Sequence, residues 1–260
     1  MPVQFSVFTK PWREPIANLG HRIANYGFDG IELPVRPGYA VSPENVQELP
    51  DAVRVLAEHN VKVYSVAGST DERCLEAYAR AGVPIVRIMA PIADEGYLAS
   101  EAALRSEFDR LLPLLERYDL TLGIQNHYGK FISNASGLRS LVSGYDPKRI
   151  AIVWDAAHNA LNGEEPELAI DIVWLGLCMV NFKNAYWKCE TGPESISAVW
   201  SPYWTDGAHG LASWPRTATE LISRGYQGVV CLTAEYTDEL DVDRLICKDI
   251  SFARSLFTRT

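Results

Sequence analysis

The 260-residue chain is short of several things, and each shortage excludes a class of protein. It has only five cysteines (Cys74, Cys178, Cys189, Cys231, Cys247), an odd number with no CxxC pair. That usage argues against a disulfide framework or a structural zinc site and reads as reduced thiols, mostly in the core. No apolar run approaches the roughly 20 residues needed to span a bilayer. The opening MPVQFSVFTK has no basic region followed by a long apolar one, so the reading is cytoplasmic, with neither leader nor membrane partner. Lys and Arg are scattered rather than run together, and the net charge is −9. A nucleic-acid partner would call for a basic face; a neutral or weakly charged small molecule suits this balance better. Glycine is missing from VFTKPWREP, the stretch after the first apolar run, where a dinucleotide-binding sheet would need a Gly-rich turn.

What is present is a rhythm. Short apolar runs occur at about 3–8, 30–34, 61–66, 84–89, 120–126, 149–155, 178–183 and 228–234. Continuous apolar runs bounded by turns are the mark of parallel strands buried on both faces. Amphipathic segments lie between them, such as EFDRLLPLLERY (107–118) and WPRTATELISRG (214–225), the latter with Gly225 as a stop, and a last helix is expected at 241–257. Eight strands alternating with about eight helices in one domain over 1–260 predict an α/β fold, a (β/α)₈ TIM barrel. A doubly wound sheet is the alternative. One long connection, 184–213, rich in Trp, Tyr, Gly and Pro, is expected to be a loop that acts as a lid.

Several runs end on polar residues. In a parallel barrel those ends converge on the active site: Glu32, Arg87, Gln125 with Asn126 and His127, Asp155 with His158, Asn181 with Lys183, and Thr233 with Glu235. Buried groups of this kind must pair, hold a metal or meet a ligand. Each also has a plainer reading. Asp155 would cap the helix that follows it, Glu32 would pair with Arg36, and Lys183 would pair with Asp155 or Glu235. His127 and His158 would be structural, His209 would lie on the surface, and Trp200, Tyr203 and Trp204 would pack the loop rather than stack on a ligand.

The segments YGFDGIELPVRPG (26–38), LGIQNHYG (122–129), VWDAAHNALNGEEPE (153–167) and SWPRTATELISRGYQGVVCL (213–232) resemble the sugar phosphate isomerase/epimerase family, whose fold is the xylose isomerase-like TIM barrel. The resemblance implies one divalent cation on carboxylate and imidazole ligands from strands five to eight. Its positions fall on Gln125, Asp155, Asn181 and Thr233, with Glu235 two residues beyond in place of Thr233. Only Asp155 is intact, so the set would suit Mn²⁺ or Mg²⁺, or has lost the metal. The function implied is a sugar or sugar-phosphate isomerase or epimerase that removes a proton next to a carbonyl. Glu235, Lys183 and His158 are the catalytic candidates, and Glu32, Arg36, His127, His209 and Trp204 the substrate-binding ones. A dehydratase or lyase on the same barrel and a non-catalytic sugar-binding barrel stay open. A homo-oligomer is compatible with all three.

Overall fold

The computed structural model describes residues 3–258; the other residues of the expected 1–260 domain lie outside that range. In chain order the elements are β1 (Gln4–Phe8), α1 (Ile16–Tyr26), β2 (Gly30–Pro34), α2 (Leu49–Glu58), β3 (Lys62–Ala67), α3 (Glu72–Arg80), β4 (Ile85–Met89) and α4 (Tyr97–Tyr118). They continue with β5 (Thr121–Gln125), α5 (Ala135–Val142), β6 (Ile150–Asp155), α6 (Ala156–Leu161), α7 (Pro166–Val173) and β7 (Leu177–Phe182). The last are β8 (Asn184–Cys189), β9 (Trp200–Thr205), α8 (Trp214–Ser223), β10 (Val229–Leu232) and α9 (Val242–Phe257).

Eight of these strands close a parallel barrel in the order β1-β10-β7-β6-β5-β4-β3-β2. The predicted alternation is therefore the observed one, and the strand limits agree to within two residues. Helix α4 begins ten residues before the segment at 107, and its first turns are largely solvated, with Tyr97 and Leu98 exposed and Ser100 the one buried residue before Phe108. Gly225 closes the α8 turn at φ +70°, as expected of a helix stop.

The main core lies between barrel and helices, where Ile23, Leu56, Leu75, Phe108, Leu115, Leu138, Ile170 and Leu221 are completely or almost completely buried. A smaller apolar cluster of Phe8, Ala67, Val153, Met179, Val229 and Cys231 fills the inside of the barrel. Gly123 of β5 is level with Arg87 of β4, and a Cβ on it would fall 2.7 Å from Val153 Cγ2. Side chains thus plug the lower barrel and leave space only above it. Of the cysteines, Cys74 and Cys231 are buried, Cys178 and Cys247 are half-buried and Cys189 is exposed, so the expected core placement holds for two.

Residues 184–213 are not an unstructured loop. Strands β8 and β9 form an antiparallel hairpin with Asn184 opposite Thr205 and Cys189 opposite Trp200. The hairpin escapes sequence reading because both strands are largely solvated, so no apolar alternation marks them. Its base is tied down by Asn184, which is buried. The Nδ2 donates to the carbonyls of Gly207 (2.8 Å) and Ala212 (3.0 Å), and Oδ1 accepts from the amides of Ala185 (3.0 Å) and Ala212 (2.9 Å). Asn184→Ala should therefore cost about 2–4 kcal/mol, at roughly 1 kcal/mol per lost bond. Urea unfolding measures the loss, and cleavage by a protease near residues 206–212 should rise with it.

Candidate functional site

The barrel's C-terminal mouth holds two adjoining cavities. The upper one, about 560 Å³, is lined by Lys10, Arg13, Tyr39, His127, Tyr128, Lys183, Trp204, Glu235 and Glu239 among others. The lower one, about 90 Å³, is lined by Phe8, Lys10, Arg36, Arg87, Gln125, His127, His158, Asn181, Thr233 and Glu235 among others. Lys10, His127 and Glu235 border both.

The floor is a chain of buried polar groups. Arg87 points into the barrel and its Nε donates to both oxygens of Glu32, at 2.8 and 3.0 Å. Ser65 Oγ donates to the same carboxylate at 3.1 Å. Arg87 Nη1 donates to Gln125 Oε1 at 2.5 Å, and Gln125 Nε2 donates to Asp155 Oδ2 at 2.8 Å. The other Asp155 oxygen accepts from the amides of Ala157 (3.0 Å) and His158 (3.1 Å), which starts α6. Asp155 is thus a helix cap and a network member at once. Burial pushes its carboxyl up to about 6, against the lowering pull of the Lys183 ammonium.

The wall is a triad of charges. Lys183 Nζ donates to Glu235 Oε2 at 2.6 Å, Lys10 Nζ donates to Glu235 Oε1, and the Trp204 ring lies 3.7 Å from Lys183 Nζ. Burial alone would raise the Glu235 carboxyl, but Lys183 and Lys10 outweigh it and hold it at about 2. Glu235, two residues beyond Thr233, would share its face if the last barrel strand ran on. The route is different: β10 stops at Leu232, and Ala234 takes φ +51°. That left-handed backbone is uncommon for a residue with a Cβ. The turn swings Glu235 to the cavity, where Thr233 also lies.

The third group is aromatic. His127 and His158 have ring centres 4.1 Å apart, and Tyr128 stacks on both at 5.1 and 5.6 Å. Burial lowers both imidazoles, His158 strongly, and Lys183 adds to the effect. His127 Nδ1 lies 2.9 Å from the Tyr128 carbonyl oxygen. A carbonyl only accepts, so Nδ1 carries the proton and Nε2 keeps a lone pair. His158 Nδ1 and both side-chain polar atoms of Asn181 are buried with no partner. Orphaned polar atoms of this kind are uncommon in native structures, and here they belong to two residues that line the lower cavity.

Not every predicted residue arrives. Glu32 is wholly buried beneath the cavity, and its partner is Arg87 rather than Arg36. His209 Nδ1 sits 2.7 Å from Asp206 Oδ1 with the ring mostly exposed, and it borders neither cavity. Of the hairpin aromatics only Trp204 lines the site; Tyr203 stacks on Tyr186 and Trp200 is exposed. Sequence reading missed Lys10, Arg13, Tyr39, Tyr128 and Glu239, which all come from connections. Lys10 alone carried a signal, standing two residues past the first strand end.

The four positions implied as metal ligands can be tested for fit. Gln125 Oε1 is engaged by a guanidinium, both Asp155 oxygens accept hydrogen bonds, and both Glu235 oxygens are engaged by ammonium groups. Asn181 Oδ1 alone is uncommitted. Among the described residues no group of three or more His, Cys, Asp or Glu could share an ion. Among those four positions a divalent cation would meet Arg87 and Lys183 and find one free neutral oxygen. This donor set does not fit one.

The sequence matches the model of the xylose isomerase-like TIM barrel family over residues 21–256, and the chain belongs to that family. Among solved structures it is similar to 3-keto-D-glucoside 4-epimerase YcjR from E. coli, with a TM-score of 0.75, 15% identity, and 97% of this chain and 99% of that one covered. It is similar to the D-psicose 3-epimerase of Clostridium cellulolyticum H10, crystallised with D-tagatose (TM-score 0.73, 13% identity, 98% and 99% covered). It is also similar to the probable 3-DHS dehydratase AsbF of Bacillus anthracis (TM-score 0.73, 12% identity, 99% and 100% covered). At such identities the likeness is one of fold. No curated protein matches the sequence, and among the described residues no helix is long and apolar enough to cross a membrane.

The network makes a titration prediction. Asp155 should titrate near 6, about two units above an ordinary aspartate. Lys183→Met, which removes the ammonium that holds it down, should push it higher still. Because the folded value is the raised one, Asp155 stabilises the fold most below about pH 4. That contribution is lost as pH rises toward 6, the neutral acid being the form the folded chain prefers. Carbon-detected NMR of labelled aspartate measures both values. A wild-type value near 4 would contradict this description.

Proposed function

We propose that the chain is an isomerase or epimerase of a sugar-like carbonyl compound and that it removes a proton from the carbon beside the carbonyl. The observation that supports this most is the pairing of a neutral imidazole with a fixed ammonium across one cavity. His127 presents Nε2 unprotonated, since Nδ1–H is donated to the Tyr128 carbonyl. Lys183 is held by Glu235 and Trp204.

In this reading a hydroxyl-bearing carbon chain lies across the upper cavity with its carbonyl oxygen toward Lys183. The ammonium stabilises the oxyanion that develops as the proton leaves, a positive charge already in place. His127 Nε2 takes the proton and, in isomerisation, returns it to the neighbouring carbon while the hydroxyl proton passes from one oxygen to the other. Epimerisation requires a second acid on the opposite face of the same carbon, a place that the Lys10 ammonium at the cavity wall can fill. Glu235, held at about 2 by two lysines, is too weak a base at neutral pH and instead orients Lys183 and Lys10. Asn181 and His158 Nδ1, otherwise unpaired, meet substrate hydroxyls. Trp204 and Tyr128 give the sugar's apolar face a surface. The charge work falls to the chain's own cations, and no step passes through a metal.

Solvent-deuterium exchange tests the reading. A ketose incubated with the protein in D₂O should gain deuterium next to its carbonyl, seen by proton NMR. His127→Gln and Lys183→Met should each slow this by about 10²-fold or more. The rate should hold down through the ordinary imidazole range and fall only at lower pH, because burial keeps His127 neutral beneath that range. Exchange that survives both substitutions would remove the proposal. A dehydratase shares this first step and differs by an unsaturated product; a non-catalytic barrel would show no exchange.

A further inference from the structure

The charges around the two cavities do not cancel, and the excess falls on one residue. Arg36 and Arg87 both lie over the Phe8 ring, with guanidinium carbons 5.6 and 4.8 Å from its centre. Glu32 meets Arg87 with both oxygens. Among the described residues no carboxylate lies within 4.0 Å of Arg36. The nearby ionised groups are Lys10, Arg36, Arg87 and Lys183 against Glu32, Asp155 and Glu235. At the outer rim Arg13 and Glu239 offset each other. One positive charge is left over in a chain whose net charge is −9. A half-buried guanidinium beside a second guanidinium is costly unless something neutralises it, and burial together with Arg87 lowers its affinity for its own proton.

We infer that the substrate is a sugar acid, a polyhydroxy carbonyl compound with one carboxylate that docks on Arg36 at the edge of the lower cavity. The inference rests on the sugar-like substrate proposed above and adds its charge. A carboxylate supplies the single negative charge that the balance lacks, and its two oxygens match the guanidinium fork. A phosphoryl group fits less well. It brings nearly two charges, and phosphate sites on barrels are built from loops and helix N-termini beyond the last strands. Here the segment after β10, TAEYTD, has no glycine and carries the Glu235 carboxylate into the cavity wall.

The test compares ketoses that differ only at the end carbon. D-fructuronate and its C4 epimer D-tagaturonate are titrated calorimetrically into the full chain, beside D-fructose, D-tagatose and the two 6-phosphates. One of the acids should bind at least about tenfold more tightly than its neutral and phosphorylated counterparts, with affinity falling as salt rises. Arg36→Met should erase that preference, and Arg36→Lys, which keeps the charge but not the fork, should restore part of it. Both variants are checked for native circular dichroism and melting temperature. Equal or tighter binding of the neutral sugar or the phosphate, no binding of either acid, or an undiminished preference in folded Arg36→Met overturns the inference. Deuterium exchange in the same samples separates the two readings. An acid that binds without exchange contradicts the proton transfer and leaves the Arg36 assignment standing. Neutral ketoses that exchange as fast as the acids do the reverse.

Discussion

A guanidinium inside a barrel is the constraint from which this site follows. Arg87 projects from the middle of β4 into the protein interior, where an unpaired charge would cost several kcal/mol. Glu32, from the neighbouring-but-one strand, answers it with both carboxylate oxygens. One of the two remaining guanidinium nitrogens fixes the next residue. Because Arg87 Nη1 can only donate, Gln125 must turn its carbonyl oxygen inward, which aims its amide nitrogen at Asp155. Asp155 then has one oxygen for that amide and one for the first turn of α6, where His158 sits. A glutamate at 125 would gain Arg87 and repel Asp155. An amide there joins a cation on one side to a carboxylate on the other.

The same logic extends upward. With the floor closed by paired groups, the charge that borders the cavity is left to side chains from the rim. Lys183 follows β7 directly, and Lys10 lies two residues past β1, so two strand ends that are two places apart in the barrel share the single carboxylate of Glu235. The ammonium groups stay in place because Glu235 is ionised at any ordinary pH and the Trp204 ring covers Lys183. The hairpin explains its own retention in the same terms. Most of it is solvated, but its base carries Asn184, which locks 207–212, and Trp204, which lies against Lys183.

The barrel and the polar strand ends were readable because burial on both faces makes a parallel strand a continuous apolar run, so Asp155 and Glu235 stand out against it. Which groups pair was not readable. Glu32 and Arg36 are four apart and invite pairing, whereas Glu32 and Arg87 are brought together only by barrel closure and by the register shift between Ile31 and Glu32 against β3. The turn at Ala234 left no mark, since alanine is not the residue expected at positive φ. Tyr128, Tyr39 and Arg13 come from connections, where no periodicity separates a lining residue from a solvated one. The expectation of a neutral or weakly charged ligand came from the total charge. The mouth has the opposite sign, because a few cations gathered in one concavity set the local field whatever the distant surface carries.

The central claim is that Arg87, Gln125 and Asp155 occupy one another and that the chain's own cations serve the chemistry. A crystal structure of the wild-type protein grown with millimolar Mn²⁺, with data collected at the manganese edge, tests it most directly. The account predicts no anomalous peak among Gln125, Asp155, Asn181 and Glu235, with Arg87 still on Glu32 and Gln125 and Lys183 still on Glu235. An ordered peak at about 2.0–2.4 Å from an Asp155 oxygen, with Lys183 or Arg87 displaced from its present partner, would contradict it.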